Sequence, residues 1–248
     1  NTKEAIDFFS EELRIFCQSL MDAFSVRITD DGLRKAIAFS NGKRQMLKNI
    51  YILKKDDLPI VSGEEVFSII LQSMMGGKGE QGLSEVLEEI RCRKKADKRP
   101  VRVMLIGTEI HDPGIFGAIE GKGEAIVVAD TLCTGSRYIW EDVEEDGDPL
   151  RAIARHYLFG VNCPLKHPHD RAIAQVEEFI EQFNVEKAIF IWPEACDPMG
   201  WIVPFIKDTL DSRGIPSCWI TIRGDGSNED RLEVSREASK FLRGQLTW

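Results

Sequence analysis

Cys196 stands in Glu194-Ala195-Cys196-Asp197-Pro198, directly after the apolar run Ala188-Ile189-Phe190-Ile191-Trp192. The run reads as a buried strand that hands over to a helix. Asp197 suits the N-cap and Pro198 the first helical position. A thiol there lies at the carboxyl end of a strand, where open α/β sheets collect their chemistry. It also lies at a helix N-terminus, which favours negative charge. The thiolate is the form that ligates a metal or attacks an electrophile. The competing reading is a buried structural cysteine, since free cysteine packs as a small hydrophobe. The strand-to-helix junction outweighs it.

A second group follows another strand-like run, Ala125-Ile126-Val127-Val128-Ala129-Asp130, in Leu132-Cys133-Thr134-Gly135-Ser136-Arg137. Cys133 reads equally as a ligand, a substrate contact or an ordinary loop residue. Arg137 suits a carboxylate or phosphate, which a guanidinium pairs well, or an internal salt bridge. Gly224-Asp225-Gly226-Ser227 precedes a helix and can present N–H groups to an anion, though a plain turn with an N-cap is the simpler reading. Cys163, before Pro164 in a loop, leans structural. Cys218 falls inside a strand, and Cys17 and Cys92 fall in helices. His111 and His156 are scattered, and His167 and His169 flank Pro168 in a loop. A zinc site from Cys133, Cys163, Cys196 and His167 is one combination. Cysteines alone do not separate iron–sulfur, zinc and a reactive thiol.

Positioning these residues needs a sheet. Residues 1 to about 98 read as helices only. Ile6, Phe9, Leu13, Phe16, Leu20 and Phe24 form one apolar stripe. Thr29 or Asp30 caps a second helix, Ser62 and Glu65 make a capping box, and a last helix runs from about Leu83 to Lys95. From Val101 the pattern changes to short apolar strands, 101–106, 125–130, 187–192 and 217–222. These alternate with helices opened by Asp112-Pro113, Asp148-Pro149, Asp170, Pro198 and Asn228. The fold class is α/β: a helical segment, then a doubly wound, four-stranded parallel sheet of flavodoxin or Rossmann type with helices on both faces. The boundary falls at 96–100, giving a helical segment 1–98 and an α/β domain 99–248.

Composition narrows the function. The 248 residues carry a net charge of −9, which argues against nonspecific nucleic-acid binding. No apolar run is long enough to span a bilayer. Six cysteines without a CxxC pair make no disulfide scaffold or zinc ribbon. A reducing, cytoplasmic compartment fits them. GxGxxG, GxxxxGK[ST], HExxH and GxSxG are all absent. The chain opens on Asn1-Thr2-Lys3-Glu4 without an initiator Met, so it is processed or part of something longer.

The ordered series Val-Met-Leu-Ile-Gly107, Asp112-Pro113, Val-Val-Ala-Asp130, Cys133-Thr-Gly-Ser-Arg137, Asp148-Pro149-Leu150, Cys163-Pro164, Cys196-Asp197-Pro198 and Gly214-Ile-Pro216 resembles the 2-hydroxyacyl-CoA dehydratase / benzoyl-CoA reductase family. The lead-in 28–37 and Ser62-Gly63-Glu64-Glu65 resemble it too. The resemblance implies an oxygen-sensitive subunit that pairs with a homologous second subunit. It implies a [4Fe–4S] cluster held by three cysteines, with one iron open to the substrate acyl-CoA. An ATP-dependent iron–sulfur activator protein would supply low-potential electrons, either for radical dehydration of a 2-hydroxyacyl-CoA or for reduction of benzoyl-CoA. Cys196 matches the family's C-terminal cluster cysteine. Cys133, more a lining residue than a ligand, joins Ser136, Arg137 and Glu194 around the substrate. The family's other two ligands lie on an N-terminal α/β domain that this chain lacks, so a fragment is expected. The alternative from another class is a flavodoxin-like binding or assembly module in which Cys196 is dispensable.

Overall fold

The computed structural model describes residues 2–194, 196–223 and 227–246. Its first part is helical because each apolar stripe follows a polar cap. α1 (Lys3–Phe24) starts where the Thr2 side chain accepts the Ala5 N–H, and α2 (Asp30–Tyr51) where Thr29 accepts that of Gly32. A 3₁₀ turn (Ile52–Lys55) follows α2. α3 (Gly63–Met74) is capped by Ser62, which accepts the Glu65 N–H. The return bond expected from Glu65 is not made, because its carboxylate pairs with Arg93 at 2.8 Å. α4 (Glu80–Arg91) starts and ends a few residues before the expected bounds, with Gly79 as its N-cap, Cys92 as its C-cap and Leu83, Leu87 and Ile90 as its buried face. The α1 stripe is largely uncovered. Of its six residues Ile6 alone is buried, and Phe16 and Phe24 are exposed. The main contact of α1 is with a later helix, Pro149–Arg155.

The second part alternates as expected. β1 (Val101–Ile106), α5 (Gly114–Glu120), β2 (Ala125–Asp130), a short α6 (Ser136–Ile139) and α7 (Pro149–Arg155) come first. A π-helical turn (156–160), α8 (Asp170–Gln182), β3 (Lys187–Pro193), α9 (Asp197–Ser212), β4 (Ser217–Ile222) and α10 (Asn228–Leu242) complete it. The four strands pair in parallel in the order β2-β1-β3-β4. Side chains alternate across the sheet. Met104, Ile106, Ile126, Val128, Ala188 and Phe190 pack with α2, α3, α4, α8 and α9. Val103, Leu105, Val127, Ile189, Ile191 and Cys218 pack with α5 and α10. Both faces are therefore covered, which is why the strands read as nearly continuous apolar runs. The helical segment and the sheet share one buried cluster, since Leu47, Ile50, Tyr51, Val66 and Leu87 lie in it with the strand residues.

In this order the chain leaves β1 toward β2 on one side and returns to β3 on the other. The β1–β3 boundary is thus the topological switch point, outside whose carboxyl ends doubly wound sheets bind ligands. Gly107 ends β1 there. A Cβ on it would lie 2.9 Å from the Leu132 side chain and 3.0 Å from the Ile191 carbonyl oxygen. Only glycine lets the segments after β1 and β2 close over this point without displacing a neighbour. Among the described residues no helix is long and apolar enough to cross a membrane.

Candidate functional site

The turn after β2 is built around one carboxylate. Asp130 is buried. Its Oδ1 accepts N–H bonds from Leu132 at 3.0 Å and Ser136 at 2.8 Å. The Ser136 hydroxyl donates to the Asp130 carbonyl at 2.6 Å. Gly135 is required, because a Cβ there would sit 2.2 Å from Asp130 Oδ1. Thr134 pins the turn to the segment after β1. Its hydroxyl donates to the Ile110 carbonyl at 2.6 Å and accepts the Ile110 N–H at 3.3 Å. The Cys133 N–H donates to the Thr108 carbonyl at 2.8 Å. These bonds leave Cys133 exposed at the apex and point Arg137 inward.

Arg137 is 8% exposed, yet it pairs with no carboxylate among the described residues. Its Nη1 donates to Cys133 Sγ at 3.3 Å, and its buried Nε has no partner among the described residues. The internal salt bridge that competed with ligand binding is not formed there. A desolvated guanidinium with unused donors accommodates an anion.

Cys196 reaches the same point from β3. It is half-buried, and its Sγ lies 3.6 Å from the Thr108 hydroxyl oxygen. Thr108 therefore touches the Cys133 main chain through its carbonyl and the Cys196 sulfur through its hydroxyl. One detail differs from the sequence reading. Cys196 itself occupies the N-cap, with Asp197 as the first helical residue and Pro198 in the first turn. The Cys196 side chain makes no capping bond, so its sulfur is not committed to a helix N–H. The Cys196 thiol thus stands at the start of a sixteen-residue helix, at the positive end of its dipole.

Among the described residues no hydrogen bond links the other candidates to the Cys133, Arg137 or Cys196 side chains. Ser136 is buried and its hydroxyl is already donated to Asp130. Glu194 is exposed at the end of β3, its N–H bonded to the Ile222 carbonyl at 2.8 Å. Ala195 and Gly224-Asp225-Gly226 lie outside the described residues, while Ser227 caps α10 by accepting the Asp230 N–H. Among the described residues no three Cys, His, Asp or Glu side chains are placed to hold a metal ion. The set Cys133, Cys163, Cys196 and His167 is therefore not assembled. The described residues bring two thiols, Cys133 and Cys196, to this edge. Cys218 packs inside the sheet, where burial pushes its thiol up to about 12.

Three buried groups near the site carry no motif. Tyr51, at the end of α2, hydrogen-bonds Asp130. Lys54 is buried, with Nζ 3.2 Å from the Val127 carbonyl oxygen and 3.7 Å from the Tyr51 ring centre. Desolvation lowers its ammonium to about 8, partly opposed by Asp130 and Glu120. Glu120 accepts N–H bonds from Gly63, Glu64 and Val127, and burial raises its carboxyl. Charged residues amid the apolar 47–54 and 115–128 stretches were the available signal.

A parallel sheet with helices on both faces, carrying two thiols and a desolvated guanidinium at its switch point, defines a doubly wound α/β protein. The chain belongs to the family described as 2-hydroxyglutaryl-CoA dehydratase, D-component, whose model matches residues 1–242. Among its relatives is YjiM of Escherichia coli strain K12, described as a putative dehydratase subunit. It is 26% identical over 236 residues, which cover 91% of this chain and 60% of YjiM. A benzoyl-CoA reductase subunit from Thauera aromatica is 23% identical over 98% of this chain and 64% of its own length. The beta subunit of (R)-phenyllactyl-CoA dehydratase from Clostridium sporogenes is 20% identical over 94% of this chain and 62% of its own. The chain thus spans less than two thirds of the length of each.

Proposed function

We propose that this chain is part of a subunit of an enzyme acting on CoA thioesters, a 2-hydroxyacyl-CoA dehydratase or a benzoyl-CoA reductase. The observation that carries the reading is the meeting of Cys196 and the Cys133–Arg137 turn at Thr108, at the switch point, in a chain of this family. On this reading Cys196 gives one thiolate to a [4Fe–4S] cluster. The remaining ligands come from residues outside these 248, on a further N-terminal α/β domain. A bound cluster with an open iron supplies a Lewis acid and an electron relay. The chain's own residues line the acyl-CoA site. Arg137 takes an anionic group of the substrate, Cys133 and Glu194 flank it, and Ser136 shapes the turn through its bonds to Asp130. A homologous second subunit and an ATP-dependent iron–sulfur activator complete the assembly, in the cytoplasm of a cell without oxygen.

The test is iron and acid-labile sulfide per chain, on the complete gene product purified anaerobically, beside Cys196→Ser. About four of each are expected, with loss in the variant. Iron retained in Cys196→Ser overturns the ligand assignment. No iron in either protein leaves a binding or assembly module in which Cys196 is dispensable.

A further inference from the structure

We infer that Tyr51, on the helical segment, is a positioning residue for the Leu132–Arg137 turn, acting through Asp130. The phenol does two things at once. It accepts the Asp130 N–H at 2.8 Å and donates to Asp130 Oδ2 at 2.8 Å. Those bonds fix both the backbone and the carboxylate of Asp130. The other carboxylate oxygen then receives the N–H groups of Leu132 and Ser136, the two ends of the turn.

Tyr51 is itself held. Its ring meets Trp140 and Phe183 edge-on at 5.8 and 5.5 Å, and the Lys54 ammonium covers it at 3.7 Å. The 3₁₀ turn that follows is tied to β1, because Arg102 donates to the Lys54 carbonyl at 2.7 Å and the Lys55 carbonyl at 3.3 Å. The phenol is thus a rigid strut from β1, through the end of α2, to the end of β2. Arg137 depends on it. No carboxylate among the described residues aims the guanidinium, so its direction is set by the turn.

Tyr51→Phe removes the hydroxyl and keeps the ring. Hydrogen exchange is measured on the complete protein. The amides of Asp130, Leu132 and Ser136 are expected to exchange about tenfold faster, with 126–128 of β2 and Val234 of α10 within about twofold. Unchanged exchange at 130–137, or a uniform rise across the sheet, overturns the inference. If Tyr51→Phe does not fold, Tyr51→Met, which also removes the hydroxyl and fills the space with an adaptable apolar side chain, is measured the same way. The functional arm rests on the reading of Arg137 as a substrate contact. It expects KM for the CoA thioester to rise about tenfold, with kcat within about threefold. Local loosening with unchanged KM upholds the hold of Tyr51 on the turn and removes Arg137 from the substrate site.

Discussion

Arg137 presents an energetic contradiction that an anionic ligand would resolve. A guanidinium taken out of water costs several kcal/mol unless its donors are satisfied, and one of its buried nitrogens is not. A purely structural arginine would be paired, and its removal would then strand a buried carboxylate at a cost of about 3–5 kcal/mol. Here no such carboxylate is found among the described residues. Arg137→Met, which keeps the volume and removes the charge, is therefore expected to leave stability within about 1 kcal/mol of the parent or to raise it. The same change is expected to raise KM for the CoA thioester about tenfold or more. Urea unfolding and steady-state kinetics on the complete enzyme check the two halves separately. A large loss of stability would mean that the guanidinium holds the fold together. An unchanged KM would take it out of the binding site.

Elements explain how much of this could be read from sequence. Strands β1 to β4 were legible because each is a short apolar run bounded by Gly, Pro or Asp, and both faces of the sheet are covered. The convergence of Cys133 and Cys196 was legible because parallel strands put their carboxyl ends on one edge. Tyr51 was not. It lies 79 residues from Asp130, on a helix whose periodicity marks it as core. The start of α3 is an intermediate case. The Ser62 cap forms as expected and the return bond from Glu65 does not, while Glu120 takes the next two N–H groups, those of Gly63 and Glu64, from across the α3–α5 interface. A capping box is local and visible in sequence, whereas a carboxylate arriving 57 residues later is not. The two supports should separate by mutation. Ser62→Ala is expected to cost about 1 kcal/mol, the usual loss of a cap. Glu120→Gln turns an amide toward backbone N–H donors in a buried site and is expected to cost about 2 kcal/mol or more. Glu65→Gln, which disturbs only an exposed pair with Arg93, is expected to change stability by less than about 0.5 kcal/mol. Equal urea midpoints for all three variants would show that the Glu120 bonds do not carry the helix start.

At the scale of the whole molecule, the helical segment and the sheet are joined through buried charge as well as apolar packing. Lys54 enters from the helical side and ends against the β2 backbone, near Asp130 and Glu120, with Arg102 and Tyr51 beside it. Its ammonium, ordinarily near 10.5, is lowered to about 8 by desolvation. Between those two values the unfolded chain holds a proton that the native chain has released. Raising the pH through that window therefore favours the native state, while below about 8 the charge is buried at full cost. Cys218 has the opposite sign. Its thiol rises from 9.0 to about 12, so above 9.0 the unfolded chain loses a proton that the native chain keeps, and stability falls with pH. Tyr51, also raised by burial, adds to that fall above 10.0. The gain from Lys54 thus stands alone chiefly between about pH 8 and 9. Lys54→Met isolates it, because the other groups remain in both proteins. Measured by urea unfolding, the stability of the parent relative to Lys54→Met should grow by about 1 kcal/mol from pH 8 to 9. A difference that stays flat over that unit would mean that Lys54 keeps its proton in the native state, with Asp130 and Glu120 outweighing burial. The junction would then be an ion-paired network instead of a desolvated one.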